Sequence, residues 1–577
     1  MSVSHQNGLK PLEAAFYRKH LPMINLRIIK RQPRKVGRLR RWYRVSLLRV
    51  SLVCLLCGLI FLPVRAAEQV HIYYGLFGLS FSVESLKTFA ESGEVEPDLA
   101  FIFNRLNPEQ KTGLRNILNT HYRLEPVALS RFFSSSLGER LLTYGGELVQ
   151  TGAGLNGFYG IRAALLQGAA TPEGLSVLSV LGQFPTDIRL DASRILGQIN
   201  QISTLQQETA DLVADLEQAT ADQAAMQPLQ GSLPGPDLQS PGSLRVSRFA
   251  RTLRDPARQR EFLVEFYLPQ GPQAHSYPVV VISNGIGTRL DRYGYLAHHL
   301  ASHGFAVIIP QHPGSDEQHL QDFLNGLSGE LFEVSAFIER PLDITFVLNE
   351  LERLNPTEFN GQLNLQQVGI FGNSFGGNTA LSLAGATIDF EQLRQDCDPQ
   401  QNLVNLSLLV QCQALDLPQR PSPLKDDRIK AISVLFPSGN SVFGQTGLGQ
   451  IDLPVLWGAV SQDIFSPLRL EQAPAFQALP TPEKYFAVTT GIDHLNLDFF
   501  AVRNLGSLDE ISEENITTNE PDIIKAYLKA LSLAFFNVHL ADQPEYRPYL
   551  TAAYAQAITQ APYNLSLVRS LNEILPP

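Results

Sequence analysis

The chain has 577 residues, 44% of them hydrophobic and 18% charged, with 42 Gly, 37 Pro and only 4 Cys. That length suits two or three domains with a large core, and the composition excludes collagen-like, disordered and disulfide-dense classes. The formal charge of -10 hides an asymmetry: residues 1–66 hold 14 Lys and Arg against the single acid Glu13, leaving 32 basic and 55 acidic residues beyond them. So acidic a body excludes nucleic-acid binding, which needs a basic face for phosphates.

The basic stretch Lys10 to Arg49 runs into an apolar segment, Val50 to Val64, and then into Val64-Arg65-Ala66. A positive region, an apolar run and small residues at a cleavage site describe a secretory signal over residues 1–66, which implies a periplasmic or extracellular protein. The alternative is a membrane anchor formed by residues 45–64, since the 15-residue run alone falls short of a roughly 30 Å hydrocarbon core. Cys54 and Cys57 lie inside the apolar segment. Beyond it stand only Cys397 and Cys412, an even number that predicts a disulfide in an oxidising compartment.

Residues 67–220 read as a mainly helical domain after one strand-like opening, Gln69–Tyr74. Ser82 predicts a helix cap with a stop at Gly93, and Asn107-Pro108 predicts a second helix start. Ile195, Ile199, Ile202, Leu205, Leu212 and Leu216 recur at helical spacing and predict one long amphipathic helix. No His, Cys or carboxylates cluster there at ligand spacing, so the domain is expected to pack or dock. Residues 221–245, rich in Pro, Gly and Ser, read as a linker.

The texture then changes. Short β-branched runs at Phe262–Leu268, Pro278–Ser283, Phe305–Pro310, Val368–Phe371, Ile429–Phe436, Pro454–Ala459 and Tyr485–Thr490 alternate with helical patterns such as Arg292–Ser302 and Pro341–Leu354. This alternation predicts an α/β domain over residues 246–540, its sheet mostly parallel with helices on both faces. Residues 541–577 read as a helical extension.

Within that domain, Gly372-Asn373-Ser374-Phe375-Gly376 follows a strand and opens a helix, the strand–turn–helix setting that lifts a serine hydroxyl above a sheet. Serine is a weak nucleophile near neutral pH and needs a base, which needs an orienting acid. Asp463 follows one later strand and His494 the next, so both are expected at the sheet edge that carries Ser374. Asp493 and Asp498 are the rival acids. For the oxyanion, the expected donors are the amides of Phe375 and Ile286, with Gly285 as the alternative to Ile286. The same glycines fail as a phosphate loop because no G-K-[ST] follows. His312, at a strand end, is expected to line the pocket mouth, while His298, His299 and His303 take structural roles.

On these residues the stretch 246–540 resembles an α/β-hydrolase, closest to the platelet-activating-factor acetylhydrolase and dienelactone hydrolase branch. The pieces that carry the resemblance are ISNGIG, LASHGFAVIIPQHPGSD, RPLDITFVLNEL and GNSFGG, with Asn284 and Asn373 standing where that branch usually has His. The resemblance implies a Ser374–Asp463–His494 triad, oxyanion amides at Ile286 and Phe375, and no metal or organic cofactor. It marks 387–426 as an insertion whose Cys397–Cys412 loop could act as a lid. The first domain resembles an uncharacterised domain preceding hydrolases in exported bacterial proteins. The expected function is a serine carboxylic-ester hydrolase on a small-molecule or lipid ester, with association to a membrane surface. The apolar neighbours Phe375, Leu495, Phe499 and Phe500 favour an acyl substrate. The alternatives are an acyltransferase or peptidase on the same triad, or a non-catalytic binding protein on the scaffold.

Overall fold

The chain is described by a computed structural model covering residues 66–229, 237–271, 276–398, 404–417, 424–492 and 521–575. His494, Asp493 and Asp498 therefore lie outside the described residues, as do the leader and the proposed anchor. Among the described residues no helix is long and apolar enough to cross a membrane.

The first region is not only helical. Strands β1 (Gln69–Tyr74), β2 (Phe77–Ser82), β3 (Val149–Thr151) and β4 (Ile188–Asp191) form a small sheet in the order β2-β1-β4-β3. Short, partly exposed strands separated by long helical insertions leave little period-two signal, which is why only the first was legible. The expected caps are present: Ser82 accepts the Ser85 amide ahead of α1 (Val83–Ser92), and Gly93 closes it in the left-handed region at φ 81°. Asn107 and Gln110 form a reciprocal capping box on α2 (Pro108–Asn119).

The long helix α3 (Ala192–Met226) spans 35 residues and takes up the first six positions of the expected linker. Its apolar stripe divides. Leu196, Ile199 and Ile202 are exposed, whereas Leu212, Leu216, Thr220 and Ala224 are buried. Leu212 and Leu216 join the core of the large sheet, and the Thr220 hydroxyl accepts the Leu567 amide at 3.1 Å. The helix thus ties the N-terminal region into the same core rather than leaving it on a linker.

The large sheet has nine strands: β5 (Arg245–Asp255), β6 (Arg260–Gln270), β7 (Tyr277–Ser283), β8 (Ala306–Pro310), β9 (Leu363–Asn373), β10 (Ile429–Leu435), β11 (Val455–Val460), β12 (Lys484–Thr489) and β13 (Leu565–Val568). Their order is β13-β12-β11-β10-β9-β7-β8-β6-β5. The six from β8 through β12 pair in parallel, and β13, β6 and β5 are antiparallel. This is a mixed α/β architecture, with apolar strands buried on both faces and helices α4 (Gly294–Ser302), α5 (Ala336–Glu358), α6 (Phe375–Leu383) and α7 (Asp522–His539) packed against them. All seven expected strands are present.

Two boundaries move. Strand β5 begins at Arg245, one residue before the expected start, and β13 falls inside residues 541–577, where it follows α8 (Ala552–Ile558) and closes the sheet against β12. That segment is thus part of the sheet, not a helical extension. Both added strands are edges: β5 is half-polar, and β13, though buried, is only four residues long.

The described part of 387–426 is not a free flap. Cys397 and Cys412 are disulfide-bonded, and Leu393, Leu408, Val410, Cys412 and Ala414 are buried. The Gln411 side-chain oxygen accepts the amides of Ser441 and Val442, while Asn405 and Gln411 donate to the buried Glu471 carboxyl. These contacts make the segment a fixed wall.

Candidate active site

In a parallel sheet all strands end on one edge, and that geometry gathers the candidate residues. Ser283 on β7 stands opposite Gly372 on β9, and Leu435 on β10 opposite Asn373. Ser374 is therefore the first residue past the central strand, flanked by the ends of β7 and β10.

Ser374 has φ 52° and ψ -120°, a conformation that non-glycine residues rarely adopt, and it caps α6. Its amide donates to the Leu435 carbonyl at 2.9 Å, and its carbonyl accepts the Gly377 amide at 2.8 Å. Two glycines make room for this turn. A Cβ on Gly372 would stand 2.2 Å from the Gly376 carbonyl oxygen, and one on Gly376 would stand 1.9 Å from the Ser283 carbonyl oxygen. No side chain fits at either position, so the glycines of the motif are steric requirements.

The close approach at Gly376 also sets the loop Asn284-Gly285-Ile286 against the N-terminus of α6. Among the described residues neither the Ile286 nor the Phe375 amide has a hydrogen-bond acceptor. Backbone amides left without acceptors at a helix N-terminus favour negative charge.

Asp463 sits in the loop after β11 and is buried, with one carboxylate oxygen accepting the amides of Phe465 (2.9 Å) and Ser466 (2.7 Å). Ser466 donates its hydroxyl to the Pro437 carbonyl, and Pro437 packs against Gly377, where an added Cβ would come within 2.8 Å. The acid loop is thus braced against the turn that carries Ser374. Strand β11 is two strands from β9, a lateral separation of about 10 Å. The chain leading to His494 leaves beside Asp463: the Ser461 amide donates to Thr489, and the Gln462 amide donates to the Ile492 carbonyl at 3.3 Å.

His312 lines a cleft at this edge of the sheet, as expected. It is buried, with Nε2 3.1 Å from the Ser283 hydroxyl and Nδ1 3.3 Å from an Asp343 carboxylate oxygen. Burial, reinforced by the neighbouring Arg340 charge, pushes its pKa down to about 4, so the ring is neutral near pH 7. Arg260 grips Asp343 through two nitrogens and Arg258 adds a third contact. Burial alone would raise the Asp343 pKa, but the hydrogen bonds from His312 and Arg260 bring it below its ordinary value. The Ser283–His312–Asp343 chain mimics a catalytic relay, yet Ser283 is wholly buried and out of reach of a substrate.

Arg340, on α5, is the residue that sequence reasoning missed. Its Nη2 donates to the Asn284 carbonyl, and its guanidinium lies 5.2 Å from the centre of the Phe375 ring. The signal was present as an arginine inside an otherwise apolar helical face in RPLDITFVLNEL, but nothing local shows where it points. A cleft of about 450 Å³ runs beside the loop, lined by Asn284, Gly285, Thr288, His312, Ser315 and Arg340 among others. Ser374 is not on its wall. The spacing of Ser374 from Asp463 and the orphan amides define the site better than this cleft does.

Among the described residues no group of three or more His, Cys, Asp or Glu is arranged to hold a metal ion. A sequence family described as "Alpha/beta hydrolase of unknown function (DUF1400)" matches residues 66–191, a stretch that holds the small sheet and ends before the large one begins. The chain is thereby similar to proteins regarded as α/β hydrolases, and its large α/β sheet agrees with such a scaffold. No curated protein matches the chain.

Proposed function

We propose that this protein is an exported serine carboxylic-ester hydrolase that works through an acyl-enzyme. The observation that carries the reading is the turn at Ser374, held at φ 52° between two glycines that tolerate no Cβ, beside two amides without acceptors among the described residues. A strained serine at the end of a central parallel strand is costly to fold and is useful for presenting a nucleophile.

In this reading Ser374 attacks the ester carbonyl and His494 takes its proton. The carbonyl oxygen becomes an oxyanion facing the Ile286 and Phe375 amides, and the alcohol leaves with a proton from His494. Water, deprotonated by His494, then releases the acid. Asp463 orients the imidazole and stabilises its charged form. His494 is two positions beyond Ile492, a reach of at most about 7 Å, and Ile492 is bonded to the neighbour of Asp463, which supports this pairing. The basic and apolar leader supports export, and the apolar sequence neighbours of His494, namely Leu495, Phe499 and Phe500, point to an acyl or lipid-like substrate.

The test is labelling by a fluorophosphonate and turnover of p-nitrophenyl esters of two to twelve carbons. Wild type should label and turn over, and Ser374→Ala should do neither. Labelling that persists in Ser374→Ala would overturn the assignment. His494→Ala and Asp463→Asn should each lower kcat by about 10³-fold or more with the fold intact.

A further inference from the structure

Arg340 stands out from the other Lys and Arg among the described residues. It is wholly buried, and its Nε and Nη1 atoms have no hydrogen-bond partner. Among the described residues no carboxylate lies within ion-pairing distance of it; Asp343, three residues on, is engaged instead by Arg258, Arg260 and His312. A guanidinium removed from water with no ion-paired carboxylate is unfavourable for folding; Asp343 and Asp316 act on it only through space, and burial lowers its pKa to about 9. Had the helix needed only to pack, an apolar side chain would have served better at this position.

What the charge does touch is specific. Its one hydrogen bond goes to the Asn284 carbonyl, the first residue of the loop that presents Ile286. Its face lies on the ring of Phe375, whose amide begins α6. One buried cation therefore contacts a residue in each of the two segments that flank the turn at Ser374. Drawing electron density from the Asn284 carbonyl also polarises the Gly285 amide of the same peptide bond, the alternative donor of that loop.

Building on the serine-hydrolase reading, we infer that Arg340 is a positioning residue whose positive charge acts through these two segments to stabilise the oxyanion that forms at the Ile286 and Phe375 amides. Asp316 and Asp343 offset this charge only from a distance, and the reaction adds a further negative charge when it develops on the substrate oxygen. Charge fixed in advance in a dry site costs no reorganisation at that moment.

The full chain is prepared as wild type, Arg340→Gln, Arg340→Lys and Ser374→Ala, with folding checked by circular dichroism and thermal melting. Each is assayed on p-nitrophenyl butyrate and with an alkyl boronic acid, whose serine adduct is a tetrahedral anion. Arg340→Gln should lower kcat about 30-fold, less than the loss of a direct oxyanion donor, with KM changed less than about threefold. Boronic acid inhibition should weaken by a similar factor, and Arg340→Lys should recover most of both losses. Equal losses in the Gln and Lys variants, a loss confined to KM, or no loss would each overturn the inference.

If the Gln variant fails to fold, the Lys variant carries the test through its pH profile. Asp316 and Asp343 face the position with negative charge, while His312 and Arg260 stand behind Asp343. A buried lysine there loses its proton at lower pH than arginine, so kcat of Arg340→Lys should fall with rising pH before that of wild type does. Parallel profiles would overturn the inference. Wild-type turnover that survives in Ser374→Ala would instead overturn the serine-hydrolase reading, so the two failures are distinct.

Discussion

Replacing Gly376 by Ala tests the steric argument at its narrowest point. The added Cβ would lie 1.9 Å from the Ser283 carbonyl oxygen and 2.8 Å from that of Asn284. An ordinary carbon contact begins near 3.5 Å, so the loop and the start of α6 must separate by about 1.5 Å. Neither side yields easily, because both are backbone and both continue into strands of the sheet. Overpacking of this kind costs about 1–3 kcal/mol of stability. The catalytic cost is larger. Ile286 and Phe375 sit on opposite sides of that contact, and a 1 Å misplacement can cost about 10²-fold in rate. The expected result is kcat reduced at least about 100-fold, KM little changed, and a modest fall in melting temperature. Gly197→Ala serves as the control, since nothing lies within 4 Å of its Cβ in the helix α3; it should leave kcat unchanged and add up to about 1 kcal/mol of stability. If Gly376→Ala keeps kcat within about threefold of wild type and melts normally, the two segments do not form a common oxyanion site.

Other consequences can be measured separately. His312 has a pKa lowered to about 4 in the fold, so the unfolded chain takes up the proton first. Its contribution to stability is complete above about pH 6.5 and is lost as pH falls towards 4, about 3 kcal/mol in all. Denaturant titrations at pH 7.5 and 4.5 should therefore show a shallower pH dependence for His312→Asn than for wild type. Reducing the Cys397–Cys412 disulfide, which closes a sequence separation of 15, should cost about 3 kcal/mol on the chain-entropy account while leaving kcat nearly unchanged. Leu216→Ala should cost about 2–5 kcal/mol and lower the melting temperature of the whole unit, because this side chain of α3 is buried in the core of the large sheet. For the same reason, removing residues 67–220 strips part of that core, and any loss of activity on deletion reports stability as well as function.

Local chemistry was legible in the amino-acid order wherever one short segment contains the whole requirement. The turn at Ser374 needs a β-branched strand, two glycines and a following helix, and all three are adjacent in the chain. The six strands β7 to β12 announce themselves as apolar runs because they are largely buried on both faces, and β6 by its alternation. Ser82 and Asn107 cap helices through bonds to residues three positions away. In contrast, β5 and β13 are edge strands with weak patterns, and the small sheet pairs β1 with β4 across more than a hundred residues. The same distance hid Arg340. Its partners Asn284 and Phe375 come from the ends of two different strands, and Ser283, His312 and Asp343 from three separate elements. Periodicity and spacing describe which face a residue takes, but only the pairing of β7 beside β9 decides which backbone that face meets. The amino-acid order alone therefore determined the candidate nucleophile and the strands that position it. The tertiary structure decided which buried charge stands behind the turn, because that depends on contacts between segments whose separation along the chain carries no local signal.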